Sequence, residues 1–274
     1  MTADDLGHDV ERNRGIFEAH RDGIVTQASI LVNGPAFEDA VARLAEAPKL
    51  SIGLHLNLSE GRPLARHHRT LVGPDGMFLG KEAVRKALMK GLVDPDEIRR
   101  ETEAQIDRLR ERGIQTTHLD GHQHVHLYPV ARDVIAGTAA GLGLTTVRIP
   151  EERPGPRDAV LADLRVRIGA YAKLALAARG IYRRRGFSGA TGFLGMALSG
   201  RMTVEGIQTA LSGAKKGWTE LMTHPGYPDA AAGAFSGFER ENELRALTDP
   251  SLAAWVKERF KLSTYWDFAR ERSA

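Results

Sequence analysis

Between positions 118 and 126 the chain reads His118-Leu119-Asp120-Gly121-His122-Gln123-His124-Val125-His126, with a metal-capable side chain at every second position. Neutral imidazoles and carboxylates are common ligands for divalent metals of borderline and hard character. If the segment is a strand, the period of two turns all five polar groups to one face. Geometry limits what such a row can do. Neighbours on one strand face lie about 6.6 Å apart, whereas a metal bond is only about 2 Å long. One straight strand therefore supplies one or two ligands to an ion, and the rest must come from elsewhere. The competing reading is a cluster of solvated or core-satisfied histidines.

Three other segments offer partners. Thr2-Ala3-Asp4-Asp5-Leu6-Gly7 carries adjacent carboxylates. One of such a pair can bind a metal while its neighbour stays free as a base, although Asp-Asp-x-Gly is also an ordinary surface turn. Leu50 to Leu58 places His55 inside an apolar, β-prone run. That histidine would pass for a core residue were no other metal-capable set present. Glu220-Leu221-Met222-Thr223-His224-Pro225-Gly226 has the same form, an apolar strand leading to a histidine and then a Pro-Gly turn. Active-site residues of α/β enzymes collect at strand ends just before loops.

Together the four segments resemble the YdjC/ChbG-type carbohydrate deacetylase family, including the HpnK hopanoid-associated branch. The family's Asp-Asp-Phe-Gly turn is matched by Asp4-Asp5-Leu6-Gly7, its Gly-Leu-His strand by Gly53-Leu54-His55, its central His-x-Asp-x-His-x-His-x-His by residues 118–126, and its late His-Pro by His224-Pro225. The resemblance runs from residue 2 to about residue 228. It implies one divalent metal ion, Mg or Zn, held by Asp5, His55 and His122, with Asp4 as general base and His224 as general acid. His118, Asp120, His124 and His126 are then left to orient ligands or contact substrate hydroxyls. Two departures stand out. Leu6 replaces phenylalanine, an apolar exchange. Only Met1-Thr2-Ala3 precede the Asp-Asp pair, so either the first strand is truncated or the start lies upstream. A truncated strand would leave Asp4 and Asp5 on a frayed terminus.

The elements that must position these residues alternate between strand and helix. Strands are expected at 24–32, 50–58, 116–126, 145–149, 220–223 and 262–266. Helices are expected at 36–47, 82–112 with a break near 91–95, and 131–141. A Gly/Pro/His-rich loop at 60–80 is placed to cover a site. Strands separated by helices pair in parallel through crossovers. The expected fold is therefore α/β, a distorted TIM-like (β/α) barrel in a single domain over residues 1–274, which is also what the resemblance implies. A basic helical insertion around 156–186 carries seven Arg and Lys residues between 165 and 185. It reads either as a surface helix pair with a solvated basic face or as an interfacial helix reaching a lipid-linked sugar.

Composition narrows the class. With 274 residues the chain can bury a large core. The absence of cysteine excludes disulfides, thiol catalysis and thiolate zinc sites. No apolar run approaches the roughly 20 residues of a membrane span, and the first residues lack a signal-peptide pattern. A net charge of +3 is too small to argue for a nucleic-acid partner. The expectation is a cytoplasmic enzyme removing an acetyl group from an N-acetylated carbohydrate, with peripheral membrane contact if the basic helix is interfacial. Two alternatives remain: a metal-dependent phosphoesterase, for which the surplus histidines would hold a second ion, and a non-catalytic sugar- or metal-binding protein, as would follow from a truncated first strand.

Overall fold

The structure is a computed structural model that describes residues 1–153, 162–233 and 235–273. In chain order its elements are β1 (Thr2–Leu6), α1 (Val10–Arg21), β2 (Gln27–Ile30), α2 (Phe37–Arg43), β3 (Ser51–Leu56), α3 (Lys81–Met89), α4 (Pro95–Glu111), β4 (Thr116–Gly121), α5 (Pro129–Gly141), α6 (Ala162–Arg184), β5 (Gly192–Leu194), α7 (Val204–Ser212), β6 (Thr219–Thr223), α8 (Phe238–Leu247), α9 (Pro250–Arg259) and α10 (Tyr265–Ser273). The six strands form one sheet in the order β4-β3-β2-β1-β6-β5, and every pairing is parallel. Such a sheet is covered on both faces, and β1, β2 and β3 are buried at every residue.

Beyond β4 the ladder continues in single bridges. Leu119 N–H donates to Thr146 O and Arg148 N–H to Leu119 O, both at 2.9 Å. Val147 N–H then reaches Ser188 O at 2.8 Å. Ser188 leads into β5, which pairs with β6. The expected distorted barrel appears in part, as a curled parallel six-stranded sheet, a half-barrel, extended beyond β4 by these isolated bridges. The strand expected at 145–149 is reduced to them.

Several expectations need correction. The first strand is not frayed: β1 lies between β2 and β6 in the middle of the sheet, hydrogen-bonded on both sides. The strand expected over 116–126 stops at Gly121, and residues His122–Leu127 wind into a 3-10 turn in which Gln123 and His124 take φ of 53° and 59°. The five polar groups therefore do not share one face. Leu262–Trp266 is no strand. Thr264 and Asp267 instead form a reciprocal cap, Thr264 N–H donating to Asp267 Oδ2 at 2.8 Å and Asp267 N–H to Thr264 Oγ1 at 3.3 Å, and α10 follows. The basic helical stretch is α6 from Ala162 onward; its expected opening at 156–161 lies outside the described residues. Among the described residues no helix is long and apolar enough to cross a membrane.

The loop between β3 and α3 is tied down by one face of α4. Glu97 accepts the backbone N–H groups of Arg69, Thr70 and Leu71 at 2.7, 2.9 and 3.1 Å. One turn on, Glu101 accepts those of Leu64 and Ala65 at 3.0 and 2.8 Å and meets His68 Nε2 at 3.2 Å. Two turns on, Gln105 clamps Asn57, accepting from its N–H at 3.0 Å and donating to its carbonyl at 2.6 Å. The i, i+4, i+8 spacing puts all three on one helix stripe.

Close packing also fixes a glycine beneath the histidine row. A Cβ added at Gly53 would fall 2.1 Å from the His118 ring. That ring cannot swing aside, because it stacks on Tyr265 at 4.4 Å and bonds Thr117 and Ser29. Gly53→Ala is expected to cost about 1–3 kcal/mol of stability, read as a lower midpoint in urea denaturation; an unchanged midpoint would contradict this packing.

Candidate active site

The site lies at the C-terminal ends of the strands, where parallel α/β sheets present their loops. Asp4 and Asp5 come from β1, His55 from β3, Asp120 and Gly121 from β4, and His224 follows β6. Adjacent strand residues ordinarily point to opposite faces. Here the register shifts between Ala3 and Leu6, and Asp5 takes φ of 68°. This irregularity lets both carboxylates line the same cavity of about 670 Å³, together with His55, His122, His124 and His224. A non-glycine residue held at positive φ is strained, and such strain gathers at functional sites.

Three predicted metal ligands converge. The Asp5, His55 and His122 ligand atoms all lie within 4.8 Å of one another. His122 Nδ1 is 3.0 Å and His55 Nε2 3.3 Å from the same Asp5 Oδ1. The far nitrogen of each imidazole meets another carboxylate: His55 Nδ1 is 2.7 Å from Asp120 Oδ1, and His122 Nε2 is 3.1 Å from Glu60 Oε2. A carboxylate behind a ligating imidazole sets its tautomer and raises its basicity. Arg12 Nη1 holds the other Asp5 oxygen at 3.2 Å. Burial alone would raise Asp5, but His122 and His55 hold it well below the usual carboxylate range.

Asp4 is fixed by Arg148, whose Nη1 and Nη2 donate to its two oxygens at 2.6 and 2.7 Å. The same guanidinium pairs with Asp120 Oδ2 and with Glu220 Oε1, each at 2.8 Å. Glu220 is seated further by Thr2 Oγ1 at 2.6 Å and Tyr265 Oη at 2.7 Å. Burial raises the Asp4 carboxyl, Arg148 and His55 pull it back, and it rests at about 6. That value suits a base at neutral pH.

The remaining predicted residues divide. His124 reaches the cavity against Tyr171, at 4.9 Å between ring centroids. His118, Asp120 and His126 stand behind the wall, fully buried. His126 Nε2 donates to the Arg148 carbonyl at 3.1 Å and leans on Tyr182, and burial pushes its imidazole down to about 4. His118, Asp120 and Glu220 also converge, but Arg148 already occupies both carboxylates, which argues against a second ion there. His224 is held well below the ordinary histidine range by burial, with Arg240 and Arg12 adding to the effect. It is neutral at pH 7.

Sequence reasoning gave no role to Arg148, Arg12, Glu220, Ser29 or Glu60. Arg148 sits in the segment 145–149, which carries no motif. Ser29 ends up 2.7 Å from Asp120 Oδ2 through β2. Glu60 was inside a stretch read only as loop. Helix α6, read as a surface element, supplies Leu164, Arg167, Ile168 and Tyr171 to the cavity wall.

The residues fit a divalent cation. Four buried carboxylates (Asp4, Asp5, Asp120, Glu220) are linked to two guanidinium groups (Arg12, Arg148), leaving two negative charges with the imidazoles neutral. One carboxylate and two imidazoles are a donor set for Zn²⁺ and related metals.

The curled parallel sheet thus carries at its strand ends an Asp/His/His cluster that could hold a metal ion, beside a second carboxylate aimed by Arg148, an arrangement suited to a hydrolase. The chain belongs to the YdjC-like protein family, whose pattern matches residues 1–258. It is 41% identical to a human protein described as carbohydrate deacetylase, over 94% of this chain and 86% of that one. It is 33% identical to a chitooligosaccharide deacetylase of Citrobacter koseri, over 97% of both. The fold matches a crystal structure from Enterococcus faecalis V583, of a protein described as a candidate for cellobiose-phosphate cleavage, with a TM-score of 0.75, 97% of each chain and 23% identity.

Two outcomes test the electrostatics. Removing the guanidinium with Arg148→Met strands three carboxylates and should lower unfolding free energy by about 3–5 kcal/mol, measured by urea titration. Burial opposes the charged form of His55, yet Asp120 and Asp4 outweigh it and hold its imidazole up at about 10; His122 is raised as well, by Asp5. A metal takes only neutral imidazole. Zn²⁺ uptake by chelator-stripped protein at pH 7 should therefore release protons, and apparent affinity should tighten as pH rises toward 10. Calorimetry in buffers of different ionisation enthalpy reads the release; heats independent of buffer would refute it.

Proposed function

We propose that the chain is a metal-dependent hydrolase that removes the acetyl group from an N-acetylated carbohydrate. The observation that carries this reading is the convergence of Asp5, His55 and His122 in the cavity into which Asp4 opens, locked by Arg148. Relatives described as carbohydrate and chitooligosaccharide deacetylases supply the substrate class.

Asp5, His55 and His122 would hold the ion, and the two imidazoles favour Zn²⁺ over Mg²⁺, which prefers oxygen ligands. A bound divalent ion would lower the pKa of water and polarise the acyl oxygen. The protein residues do the rest. Asp4 lies in the same cavity and accepts the proton of the attacking water, its carboxylate aimed by the two-point contact to Arg148. Asp120 keeps His55 in the tautomer that turns Nε2 toward Asp5. Amide cleavage ends with a protonated amine. His224 starts neutral, so as general acid it must first gain a proton, and the proton that Asp4 takes from water is the one to pass on. Leu164, Ile168 and Tyr171 of α6 give the cavity an apolar wall suited to the faces of a sugar ring.

The phosphoesterase alternative loses support because Arg148 pairs with the carboxylates of both other candidate groups among the described residues, Asp4 and Asp120 in one and Asp120 and Glu220 in the other. The binding-protein alternative rested on a missing first strand, and β1 is in place.

Acetate release from an N-acetylglucosamine oligomer tests the reading. Asp4→Asn and His122→Ala should each slow release by about 10²–10⁴-fold. Wild-type release no faster than in these variants would sink the proposal. A base must be unprotonated to act, so with Asp4 near 6 kcat/KM should fall as pH drops below about that value. Asp4→Asn should abolish that limb, and a limb that survives the substitution would assign the base elsewhere.

A further inference from the structure

We infer that Glu60 is a positioning residue for the metal site, fixing the tautomer and direction of His122 as Asp120 does for His55. The inference rests on the metal-site reading above. Its basis is a symmetry in the geometry. His55 Nε2 and His122 Nδ1 both aim at Asp5 Oδ1, at 3.3 and 3.0 Å. Their far nitrogens both meet a carboxylate, Asp120 at 2.7 Å and Glu60 at 3.1 Å. A proton held on Nε2 by Glu60 leaves the Nδ1 lone pair facing Asp5 and the shared ligand position.

Glu60 differs from Asp120 in its surroundings. Asp120 is wholly buried, whereas the Glu60 side chain is 44% exposed. An exposed carboxylate on a free loop would hold little. Here the backbone is fixed beneath it. Asn57 Oδ1 accepts Ser59 N–H at 2.8 Å and Glu60 N–H at 3.1 Å, while Asn57 Nδ2 donates to Glu60 O at 2.8 Å. Gln105 of α4 clamps Asn57 in turn. The second Glu60 oxygen accepts from Gln123 Nε2. Gln123 and His124, the residues directly after His122, sit at positive φ. Glu60 thus bonds the ligand histidine and the strained turn that carries it, and it lines both the main cavity and a neighbouring cleft of about 480 Å³.

Zn²⁺ titration of chelator-stripped full-length protein tests the inference, read by calorimetry and by ¹⁵N resonances of the His122 ring. Glu60→Gln and Glu60→Ala should weaken Zn²⁺ binding by about 10–100-fold and reduce the Nε2–H tautomer of His122. The exposed Glu46→Ala should do neither. The melting temperature of the stripped protein should be unchanged in Glu60→Gln, which keeps the side-chain shape. Wild-type affinity and tautomer in both Glu60 variants would overturn this role while leaving the metal site standing. A wild type that takes up no Zn²⁺ would overturn the metal reading and this inference with it. A Co²⁺-loaded Glu60→Gln whose absorption bands show one ligand fewer would make Glu60 a ligand and overturn the positioning role.

Discussion

The structure depends on one guanidinium. Arg148 is wholly buried and pairs with Asp4, Asp120 and Glu220 at once. Each carboxylate alone would be too costly to sink into a parallel sheet. Through Arg148 they become a frame: Asp4 faces the cavity, Asp120 steadies His55, and Glu220 ties β6 to Thr2 of β1 and to Tyr265 of α10. Still, two guanidinium groups do not balance four carboxylates. The excess negative charge is the electrostatic reason a dication suits this site, and it explains why His55 favours the protonated form so strongly in the same field.

Which residues gather at the site was legible in the sequence to the extent that residue type and motif carried it. Asp4, Asp5, His55, His122 and His224 do meet in one cavity. The grouping of the histidine row was legible but its geometry was not. Alternation implied a single strand face, yet Gly121 ends the strand. Its missing Cβ admits the His126 ring, which a Cβ would meet at 2.6 Å, and the chain turns over through two left-handed residues. Nothing in residue type announces that turn. Arg148 was invisible for another reason: a lone arginine near a strand end has no spacing signal, and its role exists only once Asp4, Asp120 and Glu220 are brought to it from three distant segments.

The fold shows the same division. Strands with apolar runs, β3 and β6, fell where periodicity placed them. β1 was doubted because only Met1-Thr2-Ala3 precede the Asp-Asp pair, which reads as a turn; the strand instead runs through both aspartates, whose burial is compensated only by tertiary partners. β5 is three residues long and below what pattern can resolve. At residues 262–266 apolar and aromatic content suggested a strand, whereas the Thr264–Asp267 cap marks a helix start.

The stripe on α4 has one more consequence. Glu97 and Glu101 hold the loop mostly through backbone N–H groups at residues 64, 65 and 69–71. Every amino acid except proline offers that group. The loop rim can therefore change its side chains, and with them whatever it presents to a bound molecule, while the path of the chain and the placement of Glu60 stay the same. The helix guards the frame and leaves the rim open to variation.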